Sequence, residues 1–152
     1  MRWTMWISGA TGVVAVATAG AGFVHAPHTT VALPGAQASP ATVIRTYVRA
    51  INDRDYSTAN AIQLRGPRIE DHGWFDAPSI RHLNVTHVTP VYSGKDVPSS
   101  SVTSFKQVVE VDIRGQFHHW DDGLPGGDHM VSYYLGRNTD AQRWRIVDEG
   151  QG

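Results

Sequence analysis

The hydrophobic period of the chain changes twice along its length. Met5 to Val24 is an uncharged run of 20 residues, mostly Ala, Val, Gly and Thr, with no polar face. At about 1.5 Å of rise per residue, such a helix just spans a bilayer core of roughly 30 Å. From Pro40 the pattern becomes amphipathic. Val43, Tyr47, Ala50 and Ile51 recur at helical spacing while Arg45, Arg49 and Asn52 turn away, which predicts a helix from about Pro40 to Asp53. Ser39-Pro40 supplies an N-cap and a proline at the first helical position. Asp55 or Ser57 can cap a second helix burying Ala59, Ile62 and Leu64, which Gly66-Pro67 ends. Ile69 to Pro78 reads as irregular or briefly helical.

The period then falls to two. Leu83, Val85, His87, Thr89 and Val91 share one face of a first strand. Phe105, Gln107, Val109, Val111, Ile113 and Phe117 share one face of a second, whose other face carries Lys106, Glu110, Asp112 and Arg114. A strand from Phe105 to Phe117 would span on the order of 40 Å, so it should bend, and Gly115 is the expected bulge or kink. A third strand covers about His129 to Arg137, a turn Asn138 to Ala141, and a fourth strand Arg143 to Asp148. Helices followed by consecutive strands predict an α+β layer: helices packed on a curved, mainly antiparallel four-stranded sheet, preceded by the apolar N-terminal helix.

Charge adds a direction. Arg2 is the only charged side chain before Arg45, and Trp3 and Trp6 stand at the level of interfacial anchors. The positive-inside rule then puts the C-terminal domain outside the cytoplasm. Residues 1–24 are a signal peptide or a retained transmembrane anchor, and both readings stay open. Val24-His25-Ala26, Thr30-Val31-Ala32 and Ala36-Gln37-Ala38 each fit a small-x-small cleavage pattern, but Pro27 follows the first directly. Residues 25–38 read as an uncharged linker carrying Pro27 and Pro34, and residues 39–152 as the domain. The expected location is therefore the cell membrane with an extracytoplasmic domain, or secretion after cleavage.

Bulk composition narrows the chemistry. The formal net charge of -1 gives no electrostatic case for nucleic acid. The chain has no cysteine, which excludes disulfides, thiolate metal sites and a cysteine nucleophile. No Gly-rich phosphate loop, nucleophile elbow or Ser-His-Asp pattern falls on a strand–turn–helix context, so no cofactor is implied.

The stretch Val48-Arg49-Ala50-Ile51-Asn52-Asp53-Arg54-Asp55 closing the first helix, the long strand pair, and the ending Trp144-Arg145-Ile146-Val147-Asp148-Glu149-Gly150 together resemble the nuclear-transport-factor-2-like superfamily. Ketosteroid isomerase shares that cone-shaped α+β fold with many small envelope proteins of actinobacteria. The resemblance covers residues 39–152. It implies a pocket between the concave sheet face and the helices, and an outer sheet face through which such domains often dimerise. The superfamily includes enzymes, binding modules and scaffolds, so fold alone does not choose between them.

On the alternation above, the inward positions are His87, Thr89, Gln107, Tyr133 or Tyr134, Trp144 and Asp148, joined by Tyr47 and Trp74 from the helical side. Candidate ligand-binding residues are thus Tyr47, Trp74, His87, Gln107, Tyr134 and Trp144. Asp148 is the one carboxylate expected to face inward. With His87 as base and Tyr134 as donor it would make the acid–base set of a small isomerase or hydrolase. The plainer account of these residues is aromatic core and a hydrogen-bonded histidine. A second constellation, His118, Asp121, Asp128 and His129 around a Gly/Pro-rich hairpin loop, offers imidazole and carboxylate ligands for a divalent metal. Its spacing fits no established metal motif, and adjacent strand residues point to opposite faces. The leading expectation is a non-catalytic envelope module that binds a small ligand or an envelope protein partner through a cone pocket or sheet face, with self-association into a homodimer as a further possibility.

Overall fold

A computed structural model describes residues 29–64, 68–70, 76–97, 99–120 and 125–151 of the chain. Helix α1 (Pro40–Asn52) starts where its sequence dictates: the Ser39 hydroxyl accepts the Thr42 N–H at 3.2 Å, and proline opens the first turn. One stripe of the helix, Val43, Ile44, Tyr47, Val48, Ala50 and Ile51, is buried. Helix α2 (Tyr56–Ile62) is capped by Asp55 and is a turn shorter than Gly66-Pro67 would allow. Gln63 turns to extended geometry and bridges Ile146, and the Leu64 N–H donates to the Ile146 carbonyl at 2.7 Å. Leu64 is left exposed rather than buried. Pairing with the sheet thus ends the helix before its breaker is reached.

Strands β1 (Ser79–Val88), β2 (Gln107–His118), β3 (Gly127–Arg137) and β4 (Arg145–Gln151) form one antiparallel sheet in the order β1-β2-β3-β4. The two helices pack on one face of it, giving the expected α+β architecture. Their shared core joins the α1 stripe to Val109, Val111, Ile113, Phe117, Val131, Tyr133, Leu135 and Ile146. A smaller apolar cluster, Val102, Phe105, Val108 and Val147, lies on the opposite face under the segment from Tyr92 to Phe105. Phe105 therefore belongs to this second cluster and not to the face of Val109.

Two asparagines tie helices to irregular backbone. The Asn52 amide donates to the Ile80 carbonyl at 2.8 Å and accepts its N–H at 2.9 Å, standing in for a neighbouring strand at the start of β1. Asn60 makes the same pair of bonds with Ile69. Both satisfy backbone groups that no ladder reaches.

Residues 29–38 lie along the domain rather than apart from it. Val31 is 5% exposed, its N–H donates to Asp55 Oδ2 at 2.8 Å, and its carbonyl accepts the Thr58 hydroxyl. The Ala36 carbonyl accepts from Arg137 at 3.3 Å. This part of the expected linker is an integral strap. The apolar run Met5–Val24 falls outside the described residues; among those described, no helix is long and apolar enough to cross a membrane.

Candidate functional site

The two faces of the sheet have different chemistry. The helix-covered face is filled. Tyr47, Tyr133, Phe117, Ile44, Ile113 and Leu135 are all fully buried, and Tyr47 meets Tyr133 edge to face at 5.9 Å. The Tyr47 hydroxyl accepts the Gln63 amide at 2.6 Å. These aromatic residues are core.

The outer face is polar, and its registers set the side chains in rows. Glu110 pairs with Tyr134, and Tyr134 with Asp148; one row along, His87 pairs with Asp112 and Asp112 with Ser132. Three carboxylates on this face, Glu110, Asp112 and Asp148, are consequently held by hydroxyl donors. Tyr134 donates to Glu110 Oε1 at 3.2 Å, and Ser132 to Asp112 Oδ1 at 2.6 Å. Asp148 Oδ2 accepts from Ser99 at 3.2 Å and from Ser101 by a short bond. Both serines sit on the segment that crosses this face. Its loop closes where the Gly94 N–H meets the Phe105 carbonyl at 3.0 Å. A Cβ on Gly94 would lie 2.0 Å from the Val102 carbonyl oxygen, so the approach requires glycine.

The carboxylates shape the phenols beside them. Burial, and after it the Glu110 charge and Tyr134, pushes the Tyr92 hydroxyl up to about 12. Tyr134 is raised by burial, then by the charge and hydrogen bond of Glu110, with smaller contributions from Asp112 and Asp148. Both phenols therefore stay protonated at neutral pH and act as donors, not as bases. None of Glu110, Asp112 and Asp148 has an ion-pair partner among the described residues, whose salt bridges are Arg49–Asp53 and Arg137–Asp140. Chemically the face holds a preorganised group of hydrogen-bonded anions, with exposed Arg114 beyond Asp112 on the same strand.

The candidates from sequence are dispersed over this frame. Asp148 faces outward, not into the helix side. The register shift between Tyr134 and Leu135 leaves Val147 as an extra residue, so Val147 joins the outer apolar cluster and Asp148 reaches Ser99 and Ser101. His87 is exposed on the outer face for a similar reason: β1 shifts register between Val85 and His87. Tyr134 and Asp148 are ladder neighbours, but His87 stands two strands from Tyr134, on the order of 10 Å at the usual strand spacing. The three do not assemble an acid–base set. Thr89 also leaves the helix side, its hydroxyl accepting the Glu110 N–H at 3.0 Å. Gln107 accepts Arg137 Nε at 2.6 Å and donates to Asp140, at the sheet end. Trp144 is buried beneath the Arg137 guanidinium, 4.2 Å from the ring centre. Trp74 and Asp121 fall outside the described residues.

The loop candidates also separate. His129 lies opposite Gly115, on the Phe117 side, with its ring bound to the Pro125 carbonyl at 2.6 Å. His118 pairs with Ser79 and Asp128 with Gln116, on the other face. Among the described residues no group of three or more His, Cys, Asp or Glu side chains is placed to hold a metal.

Sequence reasoning missed Tyr92, Ser99 and Ser101 as parts of one site with Glu110 and Asp148. The available signal was the small polar run Ser99-Ser100-Ser101 between apolar Tyr92 and Val102, too short to reveal a segment folded over a sheet. No family model, curated protein or solved structure matches the chain.

Proposed function

We propose that this chain is a non-catalytic cell-envelope module of the nuclear-transport-factor-2-like cone type, which binds a protein partner bearing basic side chains through the outer face of its sheet. One observation carries the reading. Glu110, Asp112 and Asp148 share that face, are held by neutral hydroxyls, and have no cationic partner among the described residues. Carboxylates fixed in this way attract a complementary positive surface and speed its encounter. Exposed Met130, opposite Arg114 on the same face, supplies apolar contact beside them. The helix-side positions that a cone pocket would use are filled by Tyr47, Tyr133 and Phe117, which favours the outer face over an interior site. The envelope location rests on the uncharged run Met5–Val24 and the isolated Arg2.

The test is site-specific photo-crosslinking in the native host. Crosslinking residues replace Asn84 and Met130 on the outer face, and Arg45 on the exposed side of α1. One adduct of the same mass should form at Asn84 and Met130 and not at Arg45. It should vanish in a Glu110→Gln/Asp112→Asn variant that keeps its melting temperature. The same adduct at Arg45, or an adduct indifferent to the double variant, would overturn the reading.

A further inference from the structure

At the β3–β4 hairpin end, beyond the Glu110–Tyr134–Asp148 row, lies an open cleft of about 440 Å³, a size typical of small-molecule sites. Its lining divides into two chemistries. Leu64 and Phe105 supply apolar walls, and Leu64 is an exposed leucine that the core does not use. Phe105 is fixed from behind, because its ring packs directly on Gly136, where any Cβ would lie 2.7 Å from it. Arg137, Arg143 and Arg145 supply positive charge, and among the described residues no carboxylate lines the cavity.

The three arginines are not equivalent. Arg137 is engaged by Asp140 at 2.7 Å, by Gln107 and by the Trp144 ring. Arg143 and Arg145 make no ion pair among the described residues. Arg145 is tethered by one bond, from a terminal nitrogen to the Gln63 carbonyl at 2.6 Å, while its Nε is buried with no acceptor. A buried donor without an acceptor is costly, and so is an uncompensated pair of like charges. Burial and then the Arg143 charge lower the Arg145 pKa, the direction expected of a site short of negative charge.

We propose that this cavity binds a small amphiphilic anion, an oxyanion head group on an apolar body. Arg143 and the Arg145 guanidinium take the head, and Leu64 and Phe105 take the body. The site lies at the hairpin end of the sheet, beyond the row of carboxylates, and its occupancy does not depend on a protein partner.

Octanoate is a suitable probe, read by isothermal titration on the full chain. Octanol serves as the neutral counterpart and inorganic phosphate as the bare anion. Octanoate should bind saturably at one site, at least tenfold more tightly than either control. Arg143→Gln, at an exposed position that leaves the fold intact, should weaken it about tenfold, the loss of one charge-assisted contact. Arg145→Gln should do the same, with circular dichroism verifying the fold, and Leu64→Ser should weaken octanoate but not phosphate. Octanoate binding unchanged in Arg143→Gln and Arg145→Gln would overturn the proposal. So would phosphate binding as tightly as octanoate, which would leave the apolar wall without a role, and so would absence of saturable octanoate binding.

Discussion

Asp55 offers the sharpest test of how the domain is held together. The residue is 4% exposed, yet it carries a charge. Burial alone would raise its pKa. The Val31 N–H, the Ser57 hydroxyl and the Thr58 N–H outweigh that effect and bring it from 3.8 down to about 2. The sign follows directly. A carboxylate with a depressed folded pKa contributes stability that is full above the unfolded value and lost as pH falls through the folded one. The shift is worth about 2 kcal/mol at neutral pH. Asp55→Asn removes the charge and forces an amide N–H toward donors. Urea unfolding at pH 7 should show the variant less stable by about 2–3 kcal/mol, cap loss included. At pH 3 the difference from wild type should be smaller by about 1 kcal/mol, because wild type has by then lost part of the contribution. Amide exchange at Val31 should accelerate in the variant even where both proteins are folded, since Asp55 Oδ2 is the acceptor for that N–H. A stability gap that is the same at pH 7 and pH 3 would refute the reasoning.

Three further outcomes are expected. Gly94→Ala should free the segment over the outer face, costing about 2 kcal/mol or more by urea unfolding and raising hydrogen exchange from Tyr92 to Phe105, because the Val102 backbone leaves no room for a Cβ. Asn52→Ala should cost about 2 kcal/mol by leaving both backbone groups of Ile80 without their partner, measured by chemical denaturation. In ultraviolet titration Tyr92 should ionise near 12, and Glu110→Gln should lower that value; wild-type stability should fall as pH rises from 10 to 12, since the folded chain holds the proton longer than the unfolded one.

What the sequence determined by itself was local. The cap Ser39-Pro40, the buried stripe of α1, the four strands and the turn between β3 and β4 follow from spacing and short-range backbone preference, and the structure shows each. The polar character of the Glu110–Asp112–Arg114 face was likewise legible, because alternation in β2 is uninterrupted from Val109 onward.

The tertiary structure decided what one-residue shifts control. A single extra residue in a strand reverses which side chains point where, and its position depends on the partner strand. His87 and Asp148 were misdirected for that reason, at bulges in β1 and β4. The bend expected at Gly115 lies instead in the facing strand between Arg81 and Asn84, where His82 takes a positive φ of 53°, and Gly115 provides room for Ile80 beside it. Docking of residues 29–38 also required long-range contacts, since Val31 is anchored by residues more than twenty positions away. Cleavage after Ala32 or Ala38 would remove that strap, which local composition alone does not reveal. The acidic face and the arginine cavity have the same origin: their residues lie far apart in sequence and meet only through registers that long-range pairing sets.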